Sequence, residues 1–203
     1  NNLKANKDAL FSIREDFFFF FTHGVAFLLS IAGLCLLVIF SSMRGTAWHI
    51  VGSSIFGSSL VLLYFVSTLY HKFKSIKRKN FFRLLDHICI YILIAGTYTP
   101  FILVYLRDGL GWTLFGLEWG LACLGIVLKS IWGHRYDFIA TLGYVFMGWL
   151  ILIAIKPVFD TIPALCIMWL ALGGACYTLG VPFYLHDEKI AYFHTIWHIF
   201  VAA

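Results

Sequence analysis

Charge is what this sequence has least of. Only 12% of its 203 residues are Asp, Glu, Lys or Arg, against 61% hydrophobic. A soluble globular domain is about one-quarter charged and about one-half apolar. A water-soluble fold is therefore excluded, and one membrane-embedded bundle covering residues 1–203 as a single domain is expected. Period-two alternation is missing too. Lipid cannot satisfy an open sheet edge, so the spans are expected to be helices. No repeat occurs, and no low-complexity segment beyond Phe17 to Phe21. Paired cysteine spacing is absent. Cys35, Cys89, Cys123, Cys166 and Cys176 all lie inside apolar runs and read as small buried apolar residues, which excludes a disulfide framework. A cleavable signal peptide is not expected, because the N-terminus mixes acids with bases and the first apolar run is too long for a signal core.

What is present is a series of apolar runs separated by short polar breaks. Residues 1–16 are polar and are expected to form a tail with room for a short interfacial helix. Seven spans follow, at about 17–40, 46–70, 84–105, 111–131, 136–155, 163–184 and 190–203. Lys156-Pro157 is expected to end the fifth. Pro163 suits the first turn of the sixth, and Pro182 is expected to bend or end it. The fourteen residues of the seventh rise only ~21 Å, less than the ~30 Å hydrocarbon core. The fold class read from this is all-α, a seven-helix transmembrane bundle.

The few bases are unevenly placed. Twelve of the fifteen Lys and Arg residues fall on the side of the N-terminal tail, six of them between Lys72 and Arg83 with no acid among them. Arg44, Arg107 and Lys156 fall on the other side. This asymmetry predicts a cytoplasmic N-terminus and, after seven spans, a C-terminus outside. The basic segment points to anionic headgroups and not to nucleic acid. Trp48, Trp112 and Trp132 read as interface anchors.

Polar residues inside membrane helices are costly and need partners. His194 and His198 are four apart and share a helix face. Alternating span directions put them near the inner end of the seventh span, at the depth of His71 in the second and Asp86 in the third. Ser67 lies one turn from His71 on the same face. Three imidazoles suit Zn²⁺ with one position open, the pattern of catalytic rather than closed structural sites. Asp86 is then the candidate general base, and Ser67 a hydrogen-bond donor to a ligand or a substrate carbonyl. Plain structural readings stand beside these. His194 and His198 also read as inward-facing histidines bonded to neighbouring helices. His71 reads as an interfacial histidine, Asp86 as a partner of Arg83 or of nearby lysines, and Ser67 as a packing serine. His23, His49, His87, His134 and His186 are taken as interfacial or supporting residues, with His23 nearest the site in depth.

These residues fall in a pattern that resembles a known family. Ser67-Thr68-Leu69-Tyr70-His71 resembles the S-x-x-x-H motif of the haemolysin III family, which belongs with the progestin and adiponectin-type receptors. His194-Thr195-Ile196-Trp197-His198 resembles its H-x-x-x-H motif. Leu85-Asp86-His87 with Ala95 to Phe101, Gly143 to Trp149, and Gly173-Gly174 with Tyr177 to Gly180 are similar to its third, fifth and sixth helices. Phe19 and Phe20 depart from it, standing where the family often has a polar residue ahead of Thr22-His23-Gly24. The resemblance implies a zinc site on His71, His194 and His198, with Asp86 contacting its water. It also implies a multi-pass protein of a bacterial inner membrane whose partners are membrane lipids or fatty acids. The superfamily includes alkaline ceramidases, so the implied activity is zinc-dependent hydrolysis of a lipid amide or ester. The alternatives are a receptor-like or homeostatic protein with structural zinc, and a pore-forming cytolysin.

Overall fold

The computed structural model describes residues 2–186, 190 and 192–202, with side chains from Phe18 onward, and within those residues every regular element is helical. The elements are α1 (Asn2–Arg44), α2 (Ala47–Lys72), α3 (Ile76–Tyr105), α4 (Gly109–Trp132), α5 (Asp137–Gly148), α6 (Ile155–Thr161), α7 (Ala164–Leu185) and α8 (Phe193–Ala202), with a 3₁₀ segment, Leu150–Ala154, joining α5 to α6. Among the described residues six stretches are long and apolar enough to cross a membrane: Phe18–Arg44, α2, α3, α4, Asp137–Thr161 and α7. The ten-residue α8 is apolar but shorter. Asp187, Glu188 and Lys189 of the expected last loop lie outside the described residues, as do Ala191 and Ala203.

Local chemistry sets several boundaries. Residues 3–16 contain no glycine or proline to stop a helix, so the expected tail is continuous with the first span in one 43-residue helix. Thr46 opens α2, its amide donating to His49 Nδ1 at 3.1 Å. His49 is thus part of a cap, as in a capping box. The second half of the basic segment is good helix-forming sequence, and α3 begins at Ile76 rather than at Leu84. Asp108 caps α4 by accepting from the Gly111 amide at 2.8 Å. Gly133 ends α4 with φ +59, a conformation glycine adopts without strain.

The fifth span departs most from expectation. It does not stop at Lys156-Pro157 but runs on to Thr161. Pro157 sits in the first turn of α6, where a missing amide hydrogen costs nothing. The interruption comes earlier, between Gly148 and Ile155. There the Tyr98 hydroxyl of α3 is directed at the carbonyls of Met147 (2.9 Å) and Gly148 (2.8 Å) and accepts the Ile151 amide (3.0 Å). A broken helix at membrane depth is tolerated where protein groups re-satisfy its backbone. Tyr98→Phe leaves those groups unmet and is expected to lower stability by about 1–3 kcal/mol. Reversible denaturation in detergent would measure this, and an unchanged midpoint would contradict it.

The main core joins α3, α4, the 3₁₀ segment and α6 through Tyr98, Ile102, Leu114, Leu150, Ala154 and Val158, and Met147 of α5 packs with Tyr91, Ala95 and Ala122 in another. A second cluster, Leu63, Val66, Cys89 and Leu93, packs α2 on α3. Helix α8 lies against α7 and touches α1. At Gly180 of α7 a Cβ would come within 2.9 Å of the Trp197 ring, so glycine permits the close α7–α8 approach that places His194 and His198. The Tyr64 hydroxyl donates to the Val201 carbonyl at 3.4 Å, linking α2 to the same helix.

Candidate metal centre

Two helix ends build the cluster. His71 comes from the last turn of α2, and His194 and His198 from successive turns of α8. One coordinating atom of each lies within 4.8 Å of those of the other two. His71 and His198 are buried and His194 is half-buried. The ring centroids of His194 and His198 are 4.5 Å apart, and His71 lies 5.3 Å from His198 and 5.8 Å from His194. Both ring nitrogens of His198 lack a hydrogen-bond partner among the described residues. Buried polar atoms are rarely left so, and orphaned imidazole nitrogens facing other imidazoles fit a metal ion. Zinc is compatible with such a donor set.

Ser67 and Asp86 stand beside the cluster rather than in it. Ser67 is buried, and its side chain is hydrogen-bonded to Asp86. The Oδ1 of the carboxylate has no hydrogen-bond partner among the described residues. The Arg83–Asp86 pairing considered from sequence is not the one formed. Arg83 reaches across to Asp137 at 3.3 Å.

Two residues of α1 complete the surroundings. The Phe19 ring, only 3% exposed, sits 4.9, 5.0 and 4.8 Å from the rings of His71, His194 and His198. One turn on, His23 is buried edge-to-face against His198 at 4.1 Å. The sequence places His23 at the right depth, but the packing of α1 against both α2 and α8 brings it to the cluster. Phe19 and His23 are four apart, so their common face was readable.

A second polar group lies on the same side of the bundle. His87, His134 and Asp137 also bring coordinating atoms within 4.8 Å of one another. Here the carboxylate is already engaged, by the buried ammonium of Lys129 and by Arg83. Burial, followed by the Arg83 guanidinium, lowers the His134 imidazole below its ordinary value. Glu118 of α4 is a further buried acid that spacing and depth do not connect to the cluster. It is fully buried, and neither carboxylate oxygen has a hydrogen-bond partner among the described residues. Its signal was available, as the lone acid within the apolar run of α4.

Comparison with known proteins places the arrangement in a group. The profile of the family described as "Haemolysin-III related" matches residues 11–203. The chain belongs to the haemolysin III family. Among curated proteins, it is 44% identical over 192 residues to "Hemolysin-3 homolog" of Bacillus subtilis (strain 168), covering 95% of this chain and 90% of that protein. It is 43% identical over 189 residues to "Hemolysin-3" of Bacillus cereus, covering 93% and 86%. The human "Monocyte to macrophage differentiation factor" is 28% identical over 188 residues, covering 90% and 76%, and extends the likeness to the progestin and adiponectin receptor superfamily. No solved structure matches at a significant level. Family membership and six membrane-capable helices make this a multi-pass membrane protein of the haemolysin III type.

Proposed function

We propose that this haemolysin III protein binds zinc at His71, His194 and His198 and hydrolyses an amide or ester bond of a membrane lipid. The observation that carries the reading is Asp86, held by Ser67 beside three converging imidazoles. Bound zinc would supply Lewis-acid polarisation of a carbonyl and a more acidic water. Asp86 takes the proton of the attacking water and later delivers it to the leaving group. Ser67 fixes the orientation of the carboxylate. Phe19 covers the imidazoles and keeps bulk water off them. A lipid is the fitting substrate because the cluster lies in a bundle whose outer surface is apolar.

The unequal distribution of bases supports a cytoplasmic N-terminus, an outward-directed C-terminus and a site near the inner leaflet of the cell membrane. In a cysteine-free background in intact cells, Gly109→Cys is expected to react with an impermeant reagent and Lys77→Cys to be protected. The opposite pattern would remove the inner-leaflet assignment. The activity itself is tested with ceramides and phospholipids in bicelles, by measuring fatty-acid release against the His198→Ala variant. No release above that variant from any of them would end the hydrolase reading for these substrates. It would leave the reading that the burial of Phe19 against all three rings favours, in which the metal acts as a clamp between α2 and α8. Membrane lysis, suggested by the names of the Bacillus relatives, has no comparable group of residues behind it.

A further inference from the structure

Glu118 stands alone in a membrane span. It is the one acid of α4, and the other charged residue of that helix, Lys129, is about three turns away. Glu118 is 0% exposed, and neither of its carboxylate oxygens has a hydrogen-bond partner among the described residues. Buried acids are ordinarily paired or hydrogen-bonded. At membrane depth they are rare and mark ion or proton sites.

Its neighbours fix its level in the bundle. The Trp119 indole donates to the Thr99 hydroxyl at 3.1 Å, which sets residues 118 and 119 of α4 beside 98 and 99 of α3. Leu114, one turn before Glu118 on the same face, packs in the core with Tyr98 and Leu150. The Tyr98 hydroxyl lies within electrostatic reach of the Glu118 carboxyl, and it is the group that holds the break in the fifth span. It faces the carbonyls of Met147 and Gly148 but has a single hydrogen, so it serves one of them at a time. A buried acid, a phenol and an interrupted backbone thus share one depth.

Among the described residues, no base answers the acid there. Helix α4 packs on α3, α5 and the 3₁₀ segment. In α3 the titratable group at this level is Tyr98, with Tyr91 and Tyr105 about two turns to either side. The 3₁₀ segment has none. In α5 the nearest is Tyr144, whose hydroxyl donates to the His87 carbonyl at 3.0 Å. Bases beyond this level are turned elsewhere: Arg107 lies over the Trp48 ring, and Lys156 is exposed. A metal cation would need several oxygen ligands, and the oxygens of Tyr98 and Thr99 are already engaged. A proton needs only one oxygen of Glu118 itself.

We propose that Glu118 is a proton-binding site within the membrane, and that its proton sets the joint of the fifth span. With the proton in place the side chain is neutral and tolerates apolar surroundings, and the Tyr98 hydroxyl stays on the carbonyls of Met147 and Gly148. On release the carboxyl O–H bond breaks, its electron pair stays on the oxygen, and the proton passes to a solvent base. The carboxylate then draws the Tyr98 hydroxyl hydrogen, since hydrogen bonds to charged acceptors are about twice as strong as neutral ones. The two carbonyls lose their donor and the joint loosens. The site is separate from His71, His194 and His198 and does not depend on metal there.

The test is an alkaline titration of the chain in lipid nanodiscs, read by infrared spectroscopy and by hydrogen exchange. Wild type at neutral pH is expected to show a protonated-carboxyl band component that Glu118→Gln lacks, that Asp86→Asn keeps, and that bleaches as pH rises. Exchange of the Ile151 amide is taken as a ratio to amides of α2, so that the intrinsic pH dependence cancels. Over the same range this ratio should rise about tenfold, the worth of one hydrogen bond. Glu118→Gln imitates the protonated acid and should hold the ratio flat and low. Tyr98→Phe has no hydroxyl to move and should hold it flat and high. Should Glu118→Gln fail to fold, the coincidence of band and ratio in wild type and in Asp86→Asn decides. The proposal is overturned if wild type lacks the component, if Glu118→Gln keeps it, or if it does not bleach. It is equally overturned if the ratio stays level while the band bleaches, or if sodium chloride at fixed pH bleaches the band. That last result would make the carboxylate a metal-cation site.

Discussion

Asp86→Asn is expected to cut lipid hydrolysis by on the order of 10²–10⁴-fold, the usual worth of general acid–base catalysis, while the metal stays bound. Asparagine keeps the size of the side chain and can still accept the hydrogen bond from Ser67. It cannot take a proton from water. The carboxylate stands outside the group of mutually close coordinating atoms, so its loss does not remove a ligand. Parallel assays of wild type, Asp86→Asn and His198→Ala therefore separate two failures. Activity lost with metal retained identifies the base. Activity lost with metal lost describes the centre as a whole. An Asp86→Asn protein that hydrolyses at the wild-type rate would leave an enzyme without the base assigned to it. Ser67→Ala is expected to fall between, because it frees the carboxylate without removing it.

Removing the ligands should have the second large effect. Purified protein is expected to contain about one zinc per chain, as a three-histidine site holds a single ion. The His194→Ala, His198→Ala double variant should contain almost none, since His71 alone cannot retain it. His49→Ala is the matched control, because His49 serves the α2 cap far from the cluster. Metal that binds only the folded chain stabilises it, by ~2.7 kcal/mol when free metal is a hundredfold above Kd. Chelation should thus lower the melting temperature of wild type and leave the double variant unmoved. Acidification should act like the chelator, because imidazole must be neutral to coordinate. Full zinc content in the double variant would end the assignment.

The convergence of His71, His194 and His198 was legible because it rests on two local regularities. Four-residue spacing fixes a helix face, and alternating span direction fixes depth. Neither needs knowledge of which helices touch. The position of Ser67 relative to His71 follows from the same spacing. What was not legible depended on contacts between distant segments. Asp86 and Arg83 are neighbours in sequence, yet Arg83 bonds to Asp137, 54 residues away. Phe19 reads as a departure from a family pattern, and the meeting of α1 with both α2 and α8 makes it the cover of the imidazoles. The break in the fifth span has no signature in its own residues. Leu150 to Ala154 are apolar and three of the five, two leucines and an alanine, are strong helix formers, and the hydroxyl that holds the break belongs to Tyr98. Pro157 misled in the opposite sense, because its effect depends on where in a helix it falls, and that place was set by the unseen break.

The Tyr98 hydroxyl also changes which parts of the molecule can open independently. In an unbroken helix the amide of residue 151 would be protected by its own span. Here its acceptor is a side chain of α3, so the exchange of that hydrogen with solvent reports on the seating of α3 and not on local fraying. Opening units in proteins are contiguous and cooperative. This bond moves the boundary of one such unit into the middle of the fifth span, so that its two halves need not open together. The half that starts at Asp137 adds ion pairs with α4 and α3 to its apolar packing around Met147, and the half that ends at Thr161 is held by the apolar core alone. Hydrogen exchange at residue 151, measured against that of amides within α5, would show whether the two halves open separately.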